Sequence, residues 1–235
     1  MSALEPSNLL SVTAEFYTAN PSLEDGRLKI HRIEFEVTLW TILKYLPKAG
    51  GKILDVGAVP LEAIISKTDP AIFDVVLLLG PLYHIMSPSL RESAIKQAWT
   101  MVKPSGVLIC AWVSRWAHYR DVAMRDPGRL HLKEDFYRKH ASDGDYVRVD
   151  SHGTPVHAMN HELPINMPLL LKKATGLEEV QMVGVEGILA GGLDRLVNDL
   201  EGDAFEAWVQ KCLDVGNSDN GWMMSDHIIG IARRS

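Results

Sequence analysis

Short apolar runs closed by glycine, proline or an acidic residue alternate along this chain with longer stretches whose apolar positions recur every three or four residues. Residues 27–46 place Ile30, Ile33, Phe35, Val37, Leu39, Ile42, Leu43 and Leu46 near helical spacing, so a helix is predicted there, stopped by Pro47 and Gly50-Gly51. Lys52–Gly57 then reads as a short buried strand. Leu61–Lys67 holds about two helical turns, closed by Asp69-Pro70. Phe73–Leu79 is the most strand-like segment. Ser87-Pro88-Ser89 supplies an N-cap for an amphipathic helix over Leu90–Met101. After the turn Lys103-Pro104-Ser105-Gly106, Val107–Val113 completes a βαβ unit as a further parallel strand.

Beyond Ser114 the pattern loses its period until about His161. That stretch holds His118, His131, His140, His152, His157 and His161, with Trp116, Tyr119, Phe136 and Tyr146. Periodicity then returns: a helix over Asn166–Ala174, a strand over Gly176–Val185, a long helix over Leu193–Cys212, and a last strand over Ser225–Arg233. Alternating strands and helices predict an α/β fold, a Rossmann-like and mostly parallel sheet with flanking helices. The expected organisation is a single domain: a helical cap (1–48), a first Rossmann-like part (49–113), an irregular substrate-side segment (114–165) and C-terminal helices and strands (166–235).

Composition narrows the function. With 235 residues, 46% of them hydrophobic, the chain can bury a sizeable core. A net charge of −6 with interleaved signs disfavours nucleic acid or an anionic membrane surface as the main partner, and favours a small, weakly charged substrate. Cys110 and Cys212 belong to no metal or redox spacing. Cys110 lies inside an apolar run and reads as a reduced core thiol. With neither a signal peptide nor an 18-residue apolar stretch, the expectation is a cytoplasmic protein.

Glu34–Leu46, Gly50-Gly51-Lys52-Ile53-Leu54-Asp55-Val56-Gly57, the Leu79-Gly80-Pro81-Leu82-Tyr83-His84 signature and the turn Met101-Val102-Lys103-Pro104-Ser105-Gly106-Val107-Leu108 together resemble class I S-adenosylmethionine (SAM) methyltransferases, in their small-molecule branch. Val183-Gly184-Val185-Glu186-Gly187 and Ser225–Arg233 are similar to the last two strands of that family. The resemblance implies SAM as cofactor, held by Asp55, Gly57, Gly80 and Leu82. It also implies N-terminal helices closing over the substrate, through Tyr17 and Arg32.

The sequence departs from the family in two places. Lys52–Gly57 resembles the family's first strand and Phe73–Leu79 its fourth, yet only Val59–Ile72 lies between them. The two βα units that carry most adenosine contacts, including the acidic residue for the ribose, have no counterpart, and Glu62 stands at the wrong spacing to replace it. Ala58-Val59-Pro60 also stands where further glycines are expected. The fold is therefore expected to be trimmed at one edge of its sheet. The linker just exceeds the ~10–12 residues a crossover needs. The exposed edge invites a homodimer, or cover from the N-terminal segment.

Candidate chemistry centres on the strand ends, where parallel sheets present ligands. Asp55 and Gly57 either hold the amino-acid end of SAM or form a strand-end turn. His84 and His118 are the candidate catalytic residues, as imidazoles that titrate near neutrality; for His84 a surface or helix-entry role is the alternative. Tyr17, Tyr83, Trp116 and Tyr119 are candidate substrate-binding residues, although Trp112 and Trp116 equally serve to pack a helix on the sheet. His152, His157, His161 and Glu162 match no metal-ligand spacing, so no metal is expected. Three functions stay open: SAM-dependent methyl transfer to a small molecule of secondary metabolism, a SAM-independent cyclase, isomerase or dehydratase on the same scaffold, and a non-catalytic partner subunit.

Overall fold

The computed structural model describes residues 6–48, 50–57 and 70–235. The helix predicted at Leu61–Lys67, and with it Ala58, Val59, Pro60 and Glu62, lies outside the described residues.

Strands β1 (Ile53–Asp55), β2 (Phe73–Leu78) and β3 (Val102–Ser114) are parallel neighbours, with Val75 opposite Ile53 on one side and Val107 on the other. On the far edge of β3, β7 (His227–Arg233) runs antiparallel from Val107 to Val113, and β6 (Gln181–Gly184) pairs antiparallel with β7. The hairpin β4 (Asp145–Val149) and β5 (Pro155–Glu162) joins the sheet only where His161 and Glu162 run parallel to Val113 and Ser114. Since β7 fills the other edge of β3 there, the hairpin continues past the end of β2.

Side chains alternate across the sheet, and both faces are covered. Val76, Leu78, Leu108, Cys110, Trp112 and Ile228 meet Ile95, Ala98 and Met101 of α4 (Pro88–Met101) and Met167 and Leu171 of α7 (Asn166–Thr175). On the other face, Val75, Val107, Ile109, Ile229 and Ile231 meet Ile33 and Val37 of α3 (Arg32–Leu43) and Phe205, Val209 and Cys212 of α8 (Gly202–Gly216). Each such fully buried side chain contributes about 1.5–3 kcal/mol. Cys110 and Cys212 are free and buried; burial holds the Cys110 thiol protonated and pushes the Cys212 thiol up to about 12. Ser87 caps α4 as expected, its Oγ accepting the Leu90 N–H at 3.4 Å.

Several boundaries differ from the sequence reading. The helix expected over residues 27–46 is two, α2 (Pro21–Ile30) and α3, broken at His31, whose backbone leaves the helical region. Of the residues that defined its period, Ile30, Phe35, Leu39, Leu43 and Leu46 are exposed, because α3 buries only the narrow stripe Ile33, Glu34, Val37 and Thr41. Strand β3 begins five residues early. Lys103–Gly106 bulges out of it, with Ser105 at φ +64°, while Phe73 still pairs with Val102. The long helix starts at Gly202 rather than Leu193, whose segment is a 3₁₀ turn, and the strand before it shrinks to β6.

The largest correction concerns residues 114–161. They are not irregular: they form α5 (Arg115–Arg125), a helical turn Arg129–Leu132, α6 (Glu134–Asp143) and the β4–β5 hairpin. These helices bury Arg115, His118, Val122, Tyr137 and His140, a mostly polar and aromatic face that an apolar count does not register.

Strand β1 has no partner on its outer edge among the described residues, and only residues 56–72 join it to β2. Among the described residues no helix is long and apolar enough to cross a membrane.

Candidate functional site

The carboxyl ends of β1, β2 and β3 point to one end of the sheet. There, β2 runs into Gly80 and a 3₁₀ turn, Pro81–His84, and β3 runs into α5. The β4–β5 hairpin and α1 (Pro6–Ala19) cover this end: Leu9 packs with Met86, Ala158 and Val147, and the Ala158 N–H donates to Thr13 Oγ at 3.0 Å.

His84 and Tyr17 meet beneath this cover. His84 is buried, and its Nδ1 lies 2.9 Å from the Ala158 carbonyl. A carbonyl only accepts, so Nδ1 carries the hydrogen and Nε2 of the neutral ring is an acceptor. The Tyr17 hydroxyl sits 3.3 Å from that Nε2 and 3.4 Å from His157 Nε2. Tyr17 therefore donates to His84 and accepts from His157. Tyr83 lies against His84 edge-on, with ring centroids 4.7 Å apart. Burial, then the nearby His84 and Arg148, hold the His157 imidazole down at about 4, so it is neutral at pH 7. His157 sits on β5, 73 positions beyond His84, and no local spacing announces it.

The glycines and carboxylate of the strand ends are partly committed. Asp55 and Gly57 are exposed, and Asp55 Oδ1 accepts the Gly57 N–H at 2.8 Å, closing the turn. Among the described residues, a Cβ built at Gly80 would meet only the Tyr83 hydroxyl, at 4.0 Å, which leaves this backbone open to a ligand. The Leu82 side chain is fully buried in the core, which leaves only its backbone to offer. Arg32 points elsewhere: its guanidinium donates to the Asn198 and Leu200 carbonyls and lies over the Phe205 ring.

His118 belongs to a second cluster. On α5 it packs against His140 of α6 and His161 of β5, with ring centroids 4.4 and 5.0 Å away. Burial lowers the pKa of all three imidazoles, that of His140 to about 4. Tyr119 is half-buried beside them, its hydroxyl donating to the Tyr137 carbonyl at 3.4 Å, whereas Trp116 is 44% exposed. Of the other histidines weighed in sequence, His131 and His152 are exposed.

A buried ionic clamp separates α4 from this cluster. Arg91 donates to the Ile85 and Met86 carbonyls and approaches Glu162 Oε2 at 3.4 Å; Arg115 donates to the His161 and Ala141 carbonyls and faces Glu162 Oε1 at 4.0 Å. It ties the hairpin to the ends of β2 and β3.

No family model and no curated protein sequence matches the chain. Solved structures do. A SAM-dependent methyltransferase from Thermotoga maritima, described as a possible histamine N-methyltransferase, is 15% identical over 94% of this chain and 99% of its own, with a TM-score of 0.53. The plantazolicin methyltransferase, in complex with a triazolic desmethylPZN analog and S-adenosylhomocysteine (SAH), is 10% identical over 97% and 96%, with a TM-score of 0.52. A Burkholderia thailandensis 1,6-didemethyltoxoflavin-N1-methyltransferase, with bound substrate and SAH, is 12% identical over 100% and 92%, with a TM-score of 0.50. At such identities the likeness defines the fold, and this chain has the fold of class I SAM-dependent methyltransferases.

Toward the amino-acid end of SAM the residues present offer a carboxylate at Asp55, which already accepts the Gly57 N–H, and open backbone at Gly80. For the adenosine end, no strand lies outside β1 among the described residues to carry a ribose-binding carboxylate.

Proposed function

We propose that the chain is a SAM-dependent methyltransferase acting on a small, weakly charged molecule of secondary metabolism, and that it works in the cytoplasm. The observation that carries this reading is the Tyr17–His84 pair over the open Gly80 turn, within this fold. Asp55 would hold the amino group of SAM and the backbone at Gly80 its carboxylate and chain, with Gly57 shaping the turn that presents Asp55. SAM supplies an electrophilic methyl group when bound.

The protein's own contribution is positioning and one proton path. Tyr17, half-buried, is the outer member of that path and His84 the buried one. A substrate hydroxyl placed against the Tyr17 oxygen passes its proton to the phenol as the phenol passes its own to His84 Nε2. The Ala158 carbonyl keeps the charged ring in place, because Nδ1–H donates to it before and after. Tyr83, Tyr119 and Trp116 would supply the substrate's aromatic contacts.

Titration calorimetry of SAM and SAH into the folded protein tests this. One site of micromolar affinity is expected, weakened at least roughly tenfold by Asp55→Ala, the loss of one charged hydrogen bond. Absence of binding by a cooperatively folded chain would sink methyl transfer by this protein alone. A second reading then takes over, favoured by the outer edge of β1, which has no partner among the described residues: a cyclase, isomerase or dehydratase that uses the same acid–base pair, with turnover indifferent to SAM. That edge also carries a proposed association with a second copy of the chain or a related subunit, which sedimentation equilibrium across concentrations would detect.

A further inference from the structure

We propose that His118, His140 and His161 form a three-imidazole site for one divalent transition-metal ion of the zinc class, separate from the Tyr17–His84 pair and independent of methyl transfer.

The site is built by three elements that are distant in sequence. Helix α5 brings His118, α6 brings His140, and the end of β5 brings His161; all three are buried. One nitrogen of each ring lies within 4.8 Å of those of the other two. His140 Nε2 and His161 Nδ1 are 3.1 Å apart. Two ligands of a tetrahedral zinc ion, each at about 2.0–2.1 Å, stand roughly 3.3 Å apart. Two of the three rings are thus already at ligand spacing, and the His118 nitrogen lies within 4.8 Å of both.

A packed core explains this cluster poorly. His118 Nε2, His140 Nδ1 and the Tyr137 phenol are buried with no hydrogen-bond partner among the described residues. Each such group costs about 1–3 kcal/mol if left unmade. Three in one cluster is a concentration that native interiors avoid unless the site takes a ligand. An ion held by His140 Nε2 and His161 Nδ1 replaces the hydrogen bond between them and, of the three orphaned groups, satisfies His118 Nε2; imidazole is a ligand suited to zinc, copper and nickel.

The surroundings would shield such an ion from water. Phe136, Tyr137 and Tyr146 surround His118, with centroids 6.3, 5.8 and 5.1 Å away, Tyr137 stacked on it and Phe136 edge-on. Arg115 opposes a cation, but its charge is engaged by Glu162 and by the His161, Ala141 and Ser142 carbonyls. Asp143 acts on His140 in the opposite sense. Three protein ligands leave a fourth position, which a water or the hydroxyl of a small molecule would take.

The test uses the full-length protein, stripped with chelator and titrated with Zn²⁺ by calorimetry and with Co²⁺ by visible absorption. One ion per chain and the intense d–d bands of tetrahedral cobalt are expected. His118→Gln should weaken Zn²⁺ binding by at least roughly 100-fold, the upper end of what losing even an outer-shell partner costs. His152→Gln, in the exposed hairpin turn, should leave it unchanged. Circular dichroism shows whether the His118 variant folds. If it does not, paramagnetically shifted imidazole N–H resonances in the Co²⁺-loaded wild-type protein decide, with three histidines expected. Failure of the folded wild type to bind either ion, full affinity in a folded His118→Gln variant, or fewer than three shifted histidines would overturn the proposal and leave a purely aromatic packing cluster.

Discussion

The Tyr17 hydroxyl lies 3.3 Å from His84 Nε2 across 67 residues of chain, so α1 is fastened to the turn after β2 by the group best placed to move a proton. Its neighbour His157 adds a second imidazole on the same oxygen. Removing the hydroxyl while keeping the ring separates chemistry from packing. Tyr17→Phe should lower turnover, followed as SAH production, by about 100-fold, the lower range for lost general acid–base help. SAH affinity should be unchanged. Full turnover in this variant would remove Tyr17 from the proton path.

Glu162 is the only carboxylate in contact with both Arg91 and Arg115 among the described residues. Both guanidiniums are buried, and burial alone already lowers the Arg91 pKa. Glu162→Gln leaves two buried cations without their contact carboxylate, with only the more distant Asp145 acting on Arg91, so a loss of about 3–5 kcal/mol is expected from urea unfolding. A change below ~1 kcal/mol would mean that water reaches the clamp.

Gly144 ends α6 at φ +76°, and a Cβ there would stand 2.0 Å from the His161 carbonyl oxygen. The contact is with backbone, so no side-chain rotation relieves it. Gly144→Ala should destabilise the protein by about 3 kcal/mol or more, combining left-handed strain with overpacking. The same variant should disturb the His161 ring, visible as a shifted imidazole resonance. A near-native melting temperature would show that the hairpin can move away from α6.

His227 gives a pH dependence of definite sign. Burial would lower its pKa, but Glu34 and Glu186 outweigh burial and raise it to about 9, with Nδ1 only 2.5 Å from Glu186 Oε1. Between the unfolded value of 6.5 and about 9, the native state keeps a proton that the unfolded chain has released. The stability from this pair is therefore complete below pH 6.5 and fades as pH rises through about 9. His227→Gln should flatten that decline in denaturation midpoints measured across the window. An unchanged slope would assign the decline to other groups.

The sheet was legible in the sequence because its strands are buried on both faces. Phe73–Leu79 and Val107–Val113 read as continuous apolar runs, and both proved to be central parallel strands. The Tyr83-His84 turn was legible from its place after such a run. Where legibility failed, burial was polar. Helices α5 and α6 hide histidine, tyrosine and arginine, so the stretch from Ser114 to His161 looked unstructured. The opposite failure struck α3, where Phe35, Leu39 and Leu43 have the right period and yet face outward.

What the chain itself determined is the order of strands and helices outside residues 114–161 and the seventeen residues between β1 and β2, since these follow from local pattern and covalent length. Which histidine meets which partner was decided only by the tertiary structure. His84, Tyr17 and His157 come from a turn, a helix and a hairpin, and His118, His140 and His161 from two helices and that same hairpin. The side-chain alternation along β5 puts His157 and His161 on one face, and docking of that strand against α1 and α5 sends the first to Tyr17 and the second to His118. Those contacts depend on the packing of distant elements, which no local periodicity encodes.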